Sequence, residues 1–133
     1  MYCSDTAPFS DLLLGRDFVE KPNMGTLPPP VRDELAVMRA GVVALAKGAD
    51  LLIYDTQFTP DEYKVRPHWG HSRPDDAIEI AREAKVKQLC LFHHAPMRSD
   101  DDNDRILTLA RDSAGTLPVV SAYEGLEIPV GDQ

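Results

Sequence analysis

Apolar residues follow two spacings along this chain. In "VRDELAVMRAGVVALAKG" (31–48), Leu35, Met38, Val42 and Leu45 recur at helical spacing, and Gly48 supplies a stop. "ADLLIYD" (49–55) is a compact apolar run that ends at Asp55, the pattern of a buried strand. The polar and aromatic stretch 56–71, with Pro60, Pro67 and Gly70, predicts a loop. "SRPDDAIEIAREAK" (72–85) predicts a second helix, with Ser72 as its cap, Pro74 in the first turn and Asp75 three residues after the cap. "VKQLCLF" (86–92) predicts another strand, and "SDDDNDRILTLARDS" (99–113) a helix whose acidic start suits the helix dipole. "LPVVSAYEGLEIPV" (117–130) predicts one or two final strands. "MYCSDTAPF" predicts a very short extended stretch ending at Ser4 and Asp5, and residues 10–31, with Gly15, Pro22, Gly25 and a triple proline, a long irregular connection. Helices alternating with apolar strands imply an α/β layer architecture.

Composition narrows this picture. The 133 residues suffice for one domain of ordinary size, and 43% hydrophobic residues supply a packed core. A net charge of −8 argues against a broad electrostatic nucleic-acid footprint, though it leaves room for a local basic or metal-lined cleft. No apolar run approaches the roughly 20 residues that span a bilayer, so no membrane association is expected. The start lacks a charged-then-apolar signal pattern. Cys3 and Cys90 lie inside apolar stretches and are expected to be free thiols in a reducing cytoplasm.

The chemistry gathers at the ends of the apolar runs. Asp5, Asp55 and His93 each follow one directly, and His71 lies on the loop leaving the Asp55 strand. Loops at the carboxyl ends of strands in open α/β sheets share one edge, where ligands bind. Four groups able to bind metal or move protons would therefore meet on one rim. Each also has an ordinary explanation: Asp5 and Asp55 suit turns and caps, and His68 and Trp69 suit loop packing. His94 is expected to be a solvated neighbour of His93, because adjacent strand side chains point to opposite faces. The acidic run 100–104 lacks the glycine and distal glutamate of a calcium loop.

Together, "YCSDTAPF", "ADLLIYDTQFTPDEY", "WGHSRPDDAIEIAREAKVKQLCLFHHAP" and "VVSAYEGLEI" resemble the C-terminal half of metallo-β-lactamase-fold hydrolases, in the branch that holds ribonuclease Z and cyclic-nucleotide phosphodiesterases. The resemblance runs from about residue 2 to residue 128. It implies half of an αββα sandwich, a β-sheet with helices packed on one face. It implies Asp5 as a bridging metal ligand and His93 as a ligand of the second metal. It also implies His71 as proton donor to the leaving group, oriented by Asp55. The implied cofactor is zinc, two ions per complete site, with manganese or iron as substitutes. The implied substrate is a small-molecule or nucleotide-type phosphodiester or related ester.

The family's early H-x-H-x-D-H motif and a further histidine before the bridging aspartate have no counterpart here. A catalytic zinc usually takes three protein ligands. Residues 1–133 are therefore expected to form the C-terminal half of the domain, completed by a missing N-terminal half or a second copy, with a homo-oligomer as one outcome. A catalytically incomplete remnant or interaction module is the alternative. So is a receiver-like signalling domain with Asp55 as phospho-acceptor, although Lys87 precedes its strand where such a domain wants a lysine at the strand's end.

Overall fold

The computed structural model describes residues 1–9, 28–66 and 69–131. The expected connection over 10–31 lies largely outside them, as does His68. Eight elements follow in order: β1 (Tyr2–Cys3), α1 (Pro29–Ala46), β2 (Leu52–Asp55), α2 (Pro60–Val65), α3 (Pro74–Glu83), β3 (Leu89–Phe92), α4 (Asp100–Ala114) and β4 (Val119–Ser121). The four strands form one parallel sheet in the order β1-β2-β3-β4. Parallel neighbours need crossovers, and α1, α3 and α4 supply them.

One face of the sheet makes the core. Leu52 and Tyr54 of β2, Leu89 and Leu91 of β3 and Val119 of β4 pack against Ala77, Ile78 and Ala81 of α3 and Ala110 and Ala114 of α4. The small alanines let α3 and α4 approach the sheet and each other closely. On the other face the register aligns Tyr2, Ile53, Cys90 and Val120 in one row. Phe92 joins them, in edge-on contact with Tyr2 at 5.4 Å. Tyr2 is 58% exposed, and Ile53, Phe92 and Val120 are half-buried. Among the described residues the helices cover one face, as the half-sandwich expectation requires.

Several local expectations change. Residues 56–71 are not all loop: α2 starts at Thr59, whose hydroxyl accepts from the Glu62 amide while the Glu62 carboxylate accepts from the Thr59 amide. This capping box, with Pro60 at the first position, makes one turn and a half of helix pay its way locally. The helix expected to start at Ser72 is capped one residue later by Arg73, whose backbone and guanidinium both donate to Asp76, not to Asp75. Ser72 is fully buried and donates its hydroxyl to the Thr6 carbonyl instead. On α1 the core face is Val31, Leu35 and Ala46, with Val42 packed beside them, while Met38 and Leu45 are exposed. The tail holds one strand of three residues, Val119–Ser121.

Candidate metal and acid–base site

Four segments deliver one cluster. Asp5 follows β1, Asp55 ends β2, His71 precedes α3 and His93 follows β3. Their ligand atoms all lie within 4.8 Å of one another. The Ser72 hydroxyl, adjacent to His71, holds the Thr6 carbonyl and so draws the Asp5 segment toward α3. Burial pushes the Tyr54 hydroxyl pKa up, so this phenol stays neutral beneath the same segment.

Asp55 is the buried centre, with 0% of its surface exposed. Its Oδ1 accepts from the Gln57 amide at 3.1 Å. Its Oδ2 lies 2.7 Å from Nδ1 of His71 and 3.4 Å from Nδ1 of His93. A carboxylate only accepts, so Nδ1 of His71 carries the hydrogen and Nε2 is left free. The two imidazoles meet edge to face at 4.7 Å, and Phe58 stands edge-on to His71 at 5.5 Å. Asp5 sits at the exposed rim, 3.9 Å from His93. The Ser4 hydroxyl holds the Asp5 carboxyl below its ordinary range.

Two cluster residues carry strained backbone. Asp5 (φ 49°) and His93 (φ 65°) are two of the three non-glycine residues with positive φ among the described residues. Such conformations cost free energy in residues with a Cβ and gather at functional sites.

His94 stands apart. Its Nε2 donates to the Ala122 carbonyl at 2.9 Å, with the Ser121 hydroxyl 3.1 Å away, so it fastens the loop after β3 to the end of β4. Burial lowers its pKa and favours the neutral ring. Both cysteines are free, Cys90 buried and Cys3 half-buried, and burial raises both thiol pKa values. A receiver-like role fits Asp55 poorly, since both its oxygens are engaged and none of its surface is open to a phospho-donor.

The donor set suits a divalent metal. Two imidazoles and two carboxylates are ligands that zinc, manganese and iron accept. Asp5 and His93 are the accessible members, with side chains 69% and 35% exposed, whereas Asp55 and His71 are turned toward each other. Among the described residues of the cluster, the accessible donors are thus Asp5 and His93.

Sequence reasoning overlooked Arg98. Its side chain is 5% exposed, donates to the Gln57 carbonyl at 2.8 Å and pairs with Glu62. It ties the loop after β3 to the loop after β2, and with them His93 to Asp55. An arginine four residues past a histidine pair was the available signal.

The family model of the beta-lactamase superfamily domain matches residues 34–94, a span that contains Asp55, His71 and His93. Ribonuclease Z of Brevibacillus brevis is 38% identical over 93 residues, which cover 70% of this chain and 29% of that protein. Ribonuclease Z of Limosilactobacillus reuteri is 29% identical over 124 residues, covering 93% of this chain and 40% of that protein. The crystal structure of the metallo-beta-lactamase fold protein YhfI from Bacillus subtilis superposes with a TM-score of 0.53 at 25% identity, over 65% of this chain and 33% of that one. The chain carries the metallo-β-lactamase fold. Its relatives named above are ribonucleases Z, and it spans less than half the length of either.

Proposed function

We propose that this chain contributes part of the site of a metal-dependent hydrolase that cleaves a phosphodiester or related ester. The Asp55–His71 contact carries the reading, because it lies inside a cluster that also holds Asp5 and His93. In this reading Asp5 and His93 are metal ligands. A bound pair of divalent ions, zinc by preference, would supply Lewis acidity for a water nucleophile and for the phosphate oxygens. Asp55 fixes the His71 tautomer, and His71, once protonated, passes its Nε2 proton to the leaving oxygen. Burial of Asp55 keeps that orientation free of competition from water.

Residues 1–133 are, on this proposal, the C-terminal half of the domain, and the remaining ligands come from a further segment or from another copy. The matched share of the relatives favours that arrangement. Among the described residues no helix is long and apolar enough to cross a membrane. Free thiols at Cys3 and Cys90 fit a reducing cytoplasm. The test is hydrolysis of bis(p-nitrophenyl) phosphate by a full-length protein containing this segment and the remaining ligands, with zinc or manganese and with chelator. Metal-dependent turnover supports the reading, and turnover that survives chelation contradicts it.

A further inference from the structure

Residues 56–59 join β2 to α2, and each of their backbone amides is bonded. Thr56 donates to the Phe92 carbonyl at 2.9 Å, one residue before His93. Gln57 donates to Oδ1 of Asp55 at 3.1 Å. Phe58 donates to the Ser72 carbonyl at 3.2 Å, one residue after His71. Thr59 donates to the Glu62 carboxylate at 2.7 Å. This short segment therefore reaches Asp55 directly and both histidines through their chain neighbours.

Arg98 grips the segment from the loop after β3. Its Nη2 donates to the Gln57 carbonyl at 2.8 Å and also to the Glu62 carboxylate that closes the α2 cap. Gln57 is thus held at both ends, its carbonyl by Arg98 and its amide on Asp55. With Oδ1 engaged by that amide, Oδ2 is left facing Nδ1 of His71 at 2.7 Å. The grip opposes stability in one respect. Nη1 of Arg98 is buried and, among the described residues, has no hydrogen-bond partner. An unpaired buried donor costs free energy, and an apolar side chain of similar size would suit packing better. Such a side chain could not hold Gln57.

We infer that Arg98 is a positioning residue: through Gln57 it fixes Asp55 in the orientation that aligns His71 as proton donor. The inference rests on the hydrolase reading above and adds a residue that does not touch the reacting atoms. His93 has its own support, because the Phe92 carbonyl accepts from both the amide and the hydroxyl of Thr56. Metal binding therefore does not depend on Arg98.

The test uses the full-length protein with its metal. Arg98→Met should lower kcat on bis(p-nitrophenyl) phosphate about tenfold with metal content unchanged. Arg98→Lys should restore most of that loss, because both contacts come from one nitrogen and an ammonium carries three donors. In a His71→Ala background, Arg98→Met should cost less than about twofold more, because the two residues act in one line. An equal loss in both backgrounds, or a loss of metal, would make Arg98 a general support of the fold and overturn the inference. So would parental kcat in Arg98→Met, or an Arg98→Lys variant no better than it. Should Arg98→Met not fold, Glu62→Gln loosens Arg98 and leaves it in place. Its loss should be about threefold and should vanish without His71, and a loss that persists there overturns the inference.

A parent protein without turnover would remove the hydrolase reading and not this one. The His71 Nδ1 proton resonance of the metal-free protein then decides. Arg98→Met should shift it and Arg98→Lys should restore it, and an unshifted resonance overturns the positioning role.

Discussion

Oδ2 of Asp55 sits 2.7 Å from Nδ1 of His71, and no part of Asp55 reaches solvent. The pair is thus a fixed unit in which the carboxylate decides which ring nitrogen bears hydrogen. Nitrogen-detected NMR of the metal-free chain above neutral pH should find His71 as the Nδ1–H tautomer. Asp55→Ala should shift the ring toward Nε2–H. An unchanged tautomer in the variant would mean that Asp55 does not orient the imidazole.

The Ser72 hydroxyl fastens α3 to the segment that carries Asp5. Ser72→Ala leaves the Thr6 carbonyl without that donor in a buried place, which should cost about 1–2 kcal/mol in urea unfolding. Thr59→Ala removes the α2 cap and should cost about 1 kcal/mol. If Ser72→Ala is neutral, the fully buried serine is packing and not a tie.

Metal retention tests the incompleteness of the site. Asp5 and His93 are the accessible donors, so the chain alone should lose zinc on dialysis against a buffered trace of the ion. Elemental analysis reads the outcome. Two tightly held equivalents per chain, in a monomer, would contradict the claim that ligands are missing.

The row Tyr2, Ile53, Cys90 and Val120, with Phe92 beside it, is an apolar sheet face. Tyr2 in it is exposed, Ile53, Phe92 and Val120 are half-buried and Cys90 is buried, and apolar surface left partly open in this way marks a place that becomes covered. Light scattering of the chain alone should therefore report self-association, reduced by Tyr2→Ser with Val120→Thr, which leave the helix-covered face intact. A parent chain that stays monomeric and unfolds cooperatively would contradict this.

The strands, the three long helices and the four members of the cluster were legible because strand ends place polar groups on one edge. Other features were decided by contacts that span the chain. Ser72 looks like a cap locally, yet its hydroxyl is claimed by Thr6, far away in sequence. Met38 and Leu45 share the helical period of Leu35, but periodicity cannot say which of two neighbouring stripes meets the sheet, and α1 buries Ala46 instead. The Thr59-x-x-Glu62 box was readable, though a helix of six residues is too short to show an apolar period. The direction of His94 depends on Ala122 at the end of β4, and that of Arg98 on Glu62, neither of which any local pattern announces.

The division of labour between His71 and His93 is the centre of this account. In a full-length protein with the complete site, His71→Ala should keep its metal and lose turnover of bis(p-nitrophenyl) phosphate by about 10²–10⁴-fold. Asp55→Asn should cost as much or less. The double variant should fall well short of the product of the two losses, because the residues act as one unit. Asp5→Ala and His93→Ala should lose metal and activity together. Elemental analysis paired with turnover of the His71→Ala variant is the most direct measurement: retained metal with slowed chemistry is the predicted result, and loss of a metal ion would make His71 a ligand and contradict the assignment.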